Sequence, residues 1–169
     1  MILLVERKEL NQKKVQLMPS VQSCRGSFYL LRRIMKLILL SQEFYDKYGH
    51  CKEILQKPSR PYISVEICID GILYAIPLRH HIRHNNAFIT KDESGLDFTK
   101  SIVIESDSFI SDSIPWIESA DWNIIKKSQN KIIYAFKKFL NQYKRALLHP
   151  DNPRSHKYIR YCSLQYFDI

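Results

Sequence analysis

Apolar and polar positions alternate with a period of two across the middle of the chain. Ile63, Val65, Ile67 and Ile69 alternate with Ser64, Glu66, Cys68 and Asp70, the pattern of a strand with one buried face. Asp70-Gly71 follows, and such a pair supplies the positive φ angles of a two-residue primed turn. The turn pairs Ile69 with Ile72, Val65 with Ile76 and Ile63 with Leu78, so the eight apolar side chains, Tyr74 included, share one face. A one-residue slip would turn that whole set outward, which specifies the register strongly. Continued outward, the register sets Tyr62 beside Arg79 and brings Arg60 and Pro61 alongside His80 and His81. The open end of the hairpin is therefore expected to be a cationic, histidine-bearing rim.

The same criteria predict a first strand over residues 36–41 (KLILLS) and a short helix over 42–48 that stops at Gly49. A loop spans 50–60. Beyond the hairpin, 85–92 is a polar connection with a short apolar piece at 87–90, and 96–105 (LDFTKSIVIE) reads as another strand. Residues 106–118, rich in Ser and Asp, read as a loop or short strand. From 121 to 149, Trp122, Ile125, Ile132, Phe136, Phe139, Tyr143 and Leu147 recur at helical spacing. Pro150 ends that helix, because proline disfavours helical geometry in the residue before it. The tail opens with a turn-like Asp-Asn-Pro and closes as a short basic, aromatic segment. On the long helix, Lys127, Lys131, Lys138 and Arg145 form a stripe that suits either a solvated face or phosphate contacts.

With 169 residues, 45% of them hydrophobic, the chain can bury one genuine core and is short for two. The formal charge of +9 favours a polyanionic partner, but it is uneven. Residues 1–34 hold seven Lys and Arg against two Asp and Glu, and nineteen against fifteen remain in 35–169. The leader lacks sustained periodicity, and Met35 is expected to be the true initiator. In that reading Arg32-Arg33, which AGGAGG encodes, is a ribosome-binding site translated as protein; a basic nucleic-acid-binding arm is the alternative. Cys24, Cys51, Cys68 and Cys162 have neither zinc-site spacing nor a disulfide framework. No apolar run approaches the roughly 18 residues of a membrane span, and a cytoplasmic protein is expected. The chain has no GxGxxG, P-loop or GxSxG motif, and its four glycines leave little capacity for phosphate-cradling loops.

The candidate chemistry is the run Arg79-His80-His81-Ile82-Arg83-His84, which holds half of the six histidines. Histidine titrates near neutrality, so two of these rings suit RNA cleavage. One takes the 2′-hydroxyl proton, the other protonates the departing 5′-oxygen, and Arg79 or Arg83 stabilises the charge on phosphate. A metal site on His81-x-x-His84 is a second reading, opposed by the flanking arginines and by the absence of a carboxylate or cysteine from the motif. A solvated polar loop is the third. If strand alternation persists past Leu78, His80 and His81 point to opposite sides, and a bend at Ile82 returns His84 to one of them. Catalysis is then expected to need His84 with His80 or His81, and no metal or cofactor. The RNA-binding surface is placed on Arg60, Tyr62, Arg79 and Arg83, with Lys100, Arg154, His156 and Arg160 as additions. Tyr62, Tyr158 and Tyr161, next to cations, suit stacking on unpaired bases.

Several ordered segments, KLILLSQEFYDKYGHCKEILQKPSRPYISVEI, DGILYAIPLRHHIRH, GLDFTKSIVI and RYCSLQYF, resemble the TenpN toxins of type III toxin-antitoxin systems, relatives of ToxN. The resemblance covers residues 35–169 and omits the leader. It implies a strongly twisted antiparallel sheet or partial barrel like those of the Kid and MazF toxins. It also implies a metal-independent endoribonuclease that leaves 2′,3′-cyclic phosphate ends on cellular or phage RNA. Its partner would be a small RNA antitoxin made from tandem repeats, held in a closed protein-RNA assembly. After Pro77-Leu78 the chain departs from that family, whose members carry small hydroxyl residues and a lysine where this chain has Arg79, His80, His81 and Arg83. His80 falls near the family's hydroxyl and Arg83 near its lysine. The expectation is thus an α+β domain with a long amphipathic C-terminal helix and a closing segment, acting as an RNA endonuclease. A non-catalytic RNA-binding regulator that uses the same rim is the rival.

Overall fold

The computed structural model describes residues 35–56, 63–69 and 71–169. The expectations for the leader, Arg60, Pro61 and Tyr62 lie outside these residues. The strands are β1 (Lys36–Leu39), β2 (Ile63–Ile69), β3 (Ile72–Arg79), β4 (Ala87–Lys91), β5 (Ser94–Asp97) and β6 (Ile102–Val103). The helices are α1 (Gln42–Tyr48), α2 (Ser119–Lys127), α3 (Gln129–Leu148) and α4 (His156–Ile159), with 3₁₀ turns at Phe98–Lys100, Asp107–Phe109 and Ser163–Tyr166.

The hairpin has the register set by the Asp-Gly turn: Ile69 faces Ile72, Val65 faces Ile76, and the described ladder runs out to Ser64 and Pro77. Gly71 takes φ +80°, a conformation that glycine adopts without steric cost. The expectation of one buried face is too simple for β3. Tyr74, Ala75, Ile76 and Pro77 are all buried, so both faces of this central strand are covered. One cover is α3, where the Tyr74 and Phe136 rings meet edge to face at 5.3 Å.

The strands run antiparallel in the order β1-β2-β3-β5-β4, and β6 also pairs with β3. Among the described residues no ladder joins β1 to β4, so this α+β fold has an open sheet. The free edge of β1 is covered: Leu40 bridges to Ile110, the Ser41 amide donates to the Phe109 carbonyl and the Ser111 amide to the Leu39 carbonyl. The segment 106–118 therefore shields an edge that would otherwise invite strand pairing.

The single strand expected over 96–105 is two. β5 pairs with β3 at Leu78↔Leu96 and Arg79↔Gly95, and β6 rejoins the same edge of β3 at Tyr74↔Val103 and Ala75↔Ile102. Between them the chain leaves the sheet for one 3₁₀ turn. The cause is local: the Asp97 side chain accepts from the Thr99 amide at 2.9 Å, an Asx-type bond that competes with the strand ladder.

The long helix is also divided. Ser128, at φ −104° and ψ 11°, ends α2 and begins α3. In α3 the buried positions Ile132, Phe136, Phe139, Tyr143 and Ala146 recur at i, i+4, i+7, i+11 and i+14, the apolar stripe of an amphipathic helix. Leu147, expected inside, is 44% exposed, because the stripe continues through Ala146. Phe136 lies near Tyr74, Phe98 and Phe139, with centroids 5.3–6.3 Å apart. A second aromatic group, Phe44, Tyr48, Phe109 and Phe167, ties α1 to the segment after β6 and to the C-terminus. Ser41 caps α1 by accepting from the Phe44 amide. Gly49 caps its end with an amide bond to the Tyr45 carbonyl, and a Cβ there would stand 2.3 Å from that oxygen. No helix among the described residues is long and apolar enough to cross a membrane.

Candidate functional site

β3 delivers Arg79 at its last residue, and the chain then turns at His81, whose φ is +58°. The bend thus falls one residue earlier than the expected bend at Ile82. Ile82 is buried, and its amide donates to the Glu93 carbonyl at 2.8 Å. This left-handed residue sorts the cluster into three. His80 leaves the strand end exposed, with Nδ1 2.6 Å from the Ser94 hydroxyl. His81 and Arg83 both lean on Glu93, at 3.6 Å each. His84 returns toward the sheet, where its Nε2 stands 3.4 Å from Asp97 Oδ1.

Asp97 is the centre of this arrangement and is fully buried. Its Oδ2 accepts from Arg79 Nη1, and its Oδ1 accepts from the Thr99 amide and, at 2.6 Å, the Thr99 hydroxyl. A buried carboxylate needs such partners, because leaving a charge unpaired in the interior costs several kcal/mol. The hydrogen bonds fix Arg79 and the carboxylate to the 3₁₀ turn, and the half-exposed His84 ring stands beside them.

These groups open onto a cleft of about 650 Å³, within the size range of small-ligand sites. Arg79, Arg83 and His84 line one side, Thr99 and Lys100 the floor of the 3₁₀ turn, and Lys157 and Tyr161 arrive from the C-terminal segment; Asn85 and Asn86 complete the wall. Among the described residues four cations border it and no carboxylate does, since Asp97 lies beneath. Lys100 is committed in part: its Nζ pairs with Glu53 and donates to the Tyr161 carbonyl at 3.0 Å. It therefore fastens the C-terminal wall to the floor as well as charging it.

Of the expected site residues, Arg79, Arg83, His84 and Lys100 come together here. His80 and His81 do not line the cleft. The paired histidines of His81-x-x-His84 rest on different carboxylates, Glu93 and Asp97. Arg154, His156 and Arg160 are exposed in the tail outside the cleft lining, Arg160 stacking its guanidinium on Tyr161 at 5.5 Å. Tyr161, expected as a base-stacking ring, lines the cleft, and Lys157, not among the expected site residues, lines it in place of Arg154, His156 and Arg160. Residues four apart share one side of a helical turn, so the pair 157 and 161 faces the cleft while 156 and 160 are rotated away. Asp97, Thr99, Ser94 and Glu93 were not expected at all. Their signal was Asp97-Phe98-Thr99, an Asx-turn pattern inside an apolar run.

Comparison with protein-family models finds no match, and neither curated proteins nor solved structures yield one.

Proposed function

We propose that this protein is an RNA endonuclease whose reaction is 2′-hydroxyl transesterification in the Arg79–His84 cleft. The observation that carries the reading is the convergence of Arg79 and His84 on buried Asp97 at the edge of a cationic cleft. A carboxylate beside one ring nitrogen orients an imidazole and leaves the other nitrogen for proton transfer, as in serine hydrolases. In the reaction the 2′-oxygen attacks phosphorus and yields its proton to a base. The P–O5′ bond breaks, and an acid protonates the departing oxygen. The products are a 2′,3′-cyclic phosphate and a 5′-hydroxyl. His84 carries one of the two proton transfers, while Arg79 and Arg83 stabilise the phosphorane charge. On the resemblance to TenpN toxins, the protein would be the toxin of a type III system, silenced by a repeat-derived RNA.

A second reading is a non-catalytic RNA-binding regulator. It is favoured by the single imidazole in the cleft lining, since phosphate binding needs the cations alone. Product chemistry separates the two. His80, His81 and His84 are replaced singly by alanine, and cleavage of a mixed-sequence RNA is followed with EDTA present. The endonuclease reading expects cyclic-phosphate ends from the unmodified protein and a loss of about 10²- to 10⁴-fold in His84→Ala. RNA ends left unchanged by the unmodified protein, or full activity in His84→Ala, would overturn it.

A further inference from the structure

The outward face of α3 is unused by the cleft, and its charge is one-sided. Residues 122–150 contain seven Lys and Arg and no Asp or Glu. The apolar stripe of α3 is spent on the core, so the opposite side presents Lys131, Lys138 and Arg145, all exposed, spaced seven residues apart. At 1.5 Å per residue the row runs about 21 Å along the helix. None of the three pairs with a carboxylate among the described residues. Between the first two stands Tyr134, 74% exposed. The ring adds a π-face to the row of cations.

We infer that this face of α3 binds single-stranded RNA, with Lys131, Lys138 and Arg145 on phosphates along one strand and Tyr134 stacked on a base. The charge complements a polyanion, and cations interleaved with an exposed ring are the elements of sequence-tolerant single-strand binding. An anionic membrane also attracts cations, but a helix lying in a membrane interface inserts its apolar face. Here that face is buried in the protein. The inference stands apart from the cleft's chemistry, because its readout is binding rather than cleavage.

The test is fluorescence anisotropy of a labelled, unstructured oligoribonucleotide long enough to span the helix, titrated with the full chain across a range of salt. The His84→Ala background keeps the probe intact if the cleft cleaves. In the triple variant Lys131→Ala/Lys138→Ala/Arg145→Ala the slope of log affinity against log salt should flatten by about 2, at roughly 0.7 per lost phosphate contact. Tyr134→Ala should weaken binding about 5- to 100-fold while Tyr134→Phe retains it. All four side chains are exposed, so circular dichroism should be unchanged. An unchanged slope and affinity in the triple variant would overturn the inference. So would binding to phosphatidylserine vesicles that the triple variant abolishes while RNA binding persists.

Discussion

Nε2 of His84 stands 3.4 Å from Oδ1 of Asp97, a carboxylate with no exposed surface. The same oxygen accepts two hydrogen bonds from Thr99, so the imidazole is set against a group that cannot move independently of the 3₁₀ turn. Asp97 thus supports the fold and sets its carboxylate beside the His84 ring.

Breaking this pair should be costly. Asp97→Asn leaves Arg79 without its charge partner, and because the Arg79 side chain is 34% exposed the loss should fall between the ~1 kcal/mol of a surface pair and the ~3–5 kcal/mol of a fully buried one. Urea denaturation should show that loss for Asp97→Asn, whereas His84→Ala, whose side chain is 40% exposed, should stay close to the unmodified protein. Equal stability of both variants and the parent would contradict the role given to Asp97.

His81 should be replaceable at no cost to the fold. A left-handed backbone is unfavourable by about 1–2 kcal/mol for a residue with a Cβ, and glycine removes that strain while adding freedom to the unfolded chain. His81→Gly should therefore raise stability by about 0.5–1 kcal/mol, measured by the denaturant midpoint at constant slope. A fall of similar size would show that its contact with Glu93 outweighs the strain.

Gly95→Ala should disturb the site from a distance. A Cβ at this position would lie 2.1 Å from the Phe88 carbonyl oxygen, where β4 and β5 shift register. Backbone must move to admit it, and Ser94 and Asp97 sit on the same short strand. The expected result is a destabilised protein and, on the proposed function, reduced RNA affinity. Unaltered thermal unfolding would show that the hairpin tolerates the shift.

Acid should loosen α1 through Glu105. Burial pushes this carboxyl up, but hydrogen bonds from Lys47 and Tyr48 outweigh it and hold the group below its ordinary 4.5. A depressed folded value means the contribution is fully present above 4.5 and is lost as pH falls through the folded value. Glu105→Gln should therefore narrow the stability difference between neutral pH and pH below 4.5, read from denaturation curves at each pH. The effect is modest, since both partners are substantially exposed. An identical pH dependence in the variant would remove Glu105 from the account.

The hairpin register was legible because two independent signals, period-two alternation and Asp70-Gly71, demand the same pairing. α1 and the phase of α3 were legible for similar reasons. The break at Asp97 was not: LDFTKSIVIE is dense enough in apolar residues to read as one strand, and only a side-chain bond to Thr99 interrupts it. Half of the cleft was visible as Arg79, Arg83, His84 and Lys100. The direction of His80 and His81 was not, since alternation ends at a left-handed residue that histidine does not announce. Tyr161 was visible as a ring next to cations, but Lys157 was not, since its place depends on the rotation of one short helical turn at the far end of the chain.

The edge of β3 has a further consequence. It pairs in succession with β6 at Tyr74 and Ala75 and with β5 at Leu78 and Arg79, so the floor of the cleft hangs as a loop between two segments of one ladder. Such a floor does not open as a separate lid. Amide protons of Leu96, Ile102 and Val103 should then exchange together with those of the central hairpin, as one cooperative unit whose opening approaches global unfolding. Whatever enters the cleft meets a surface whose shape was settled when the core formed.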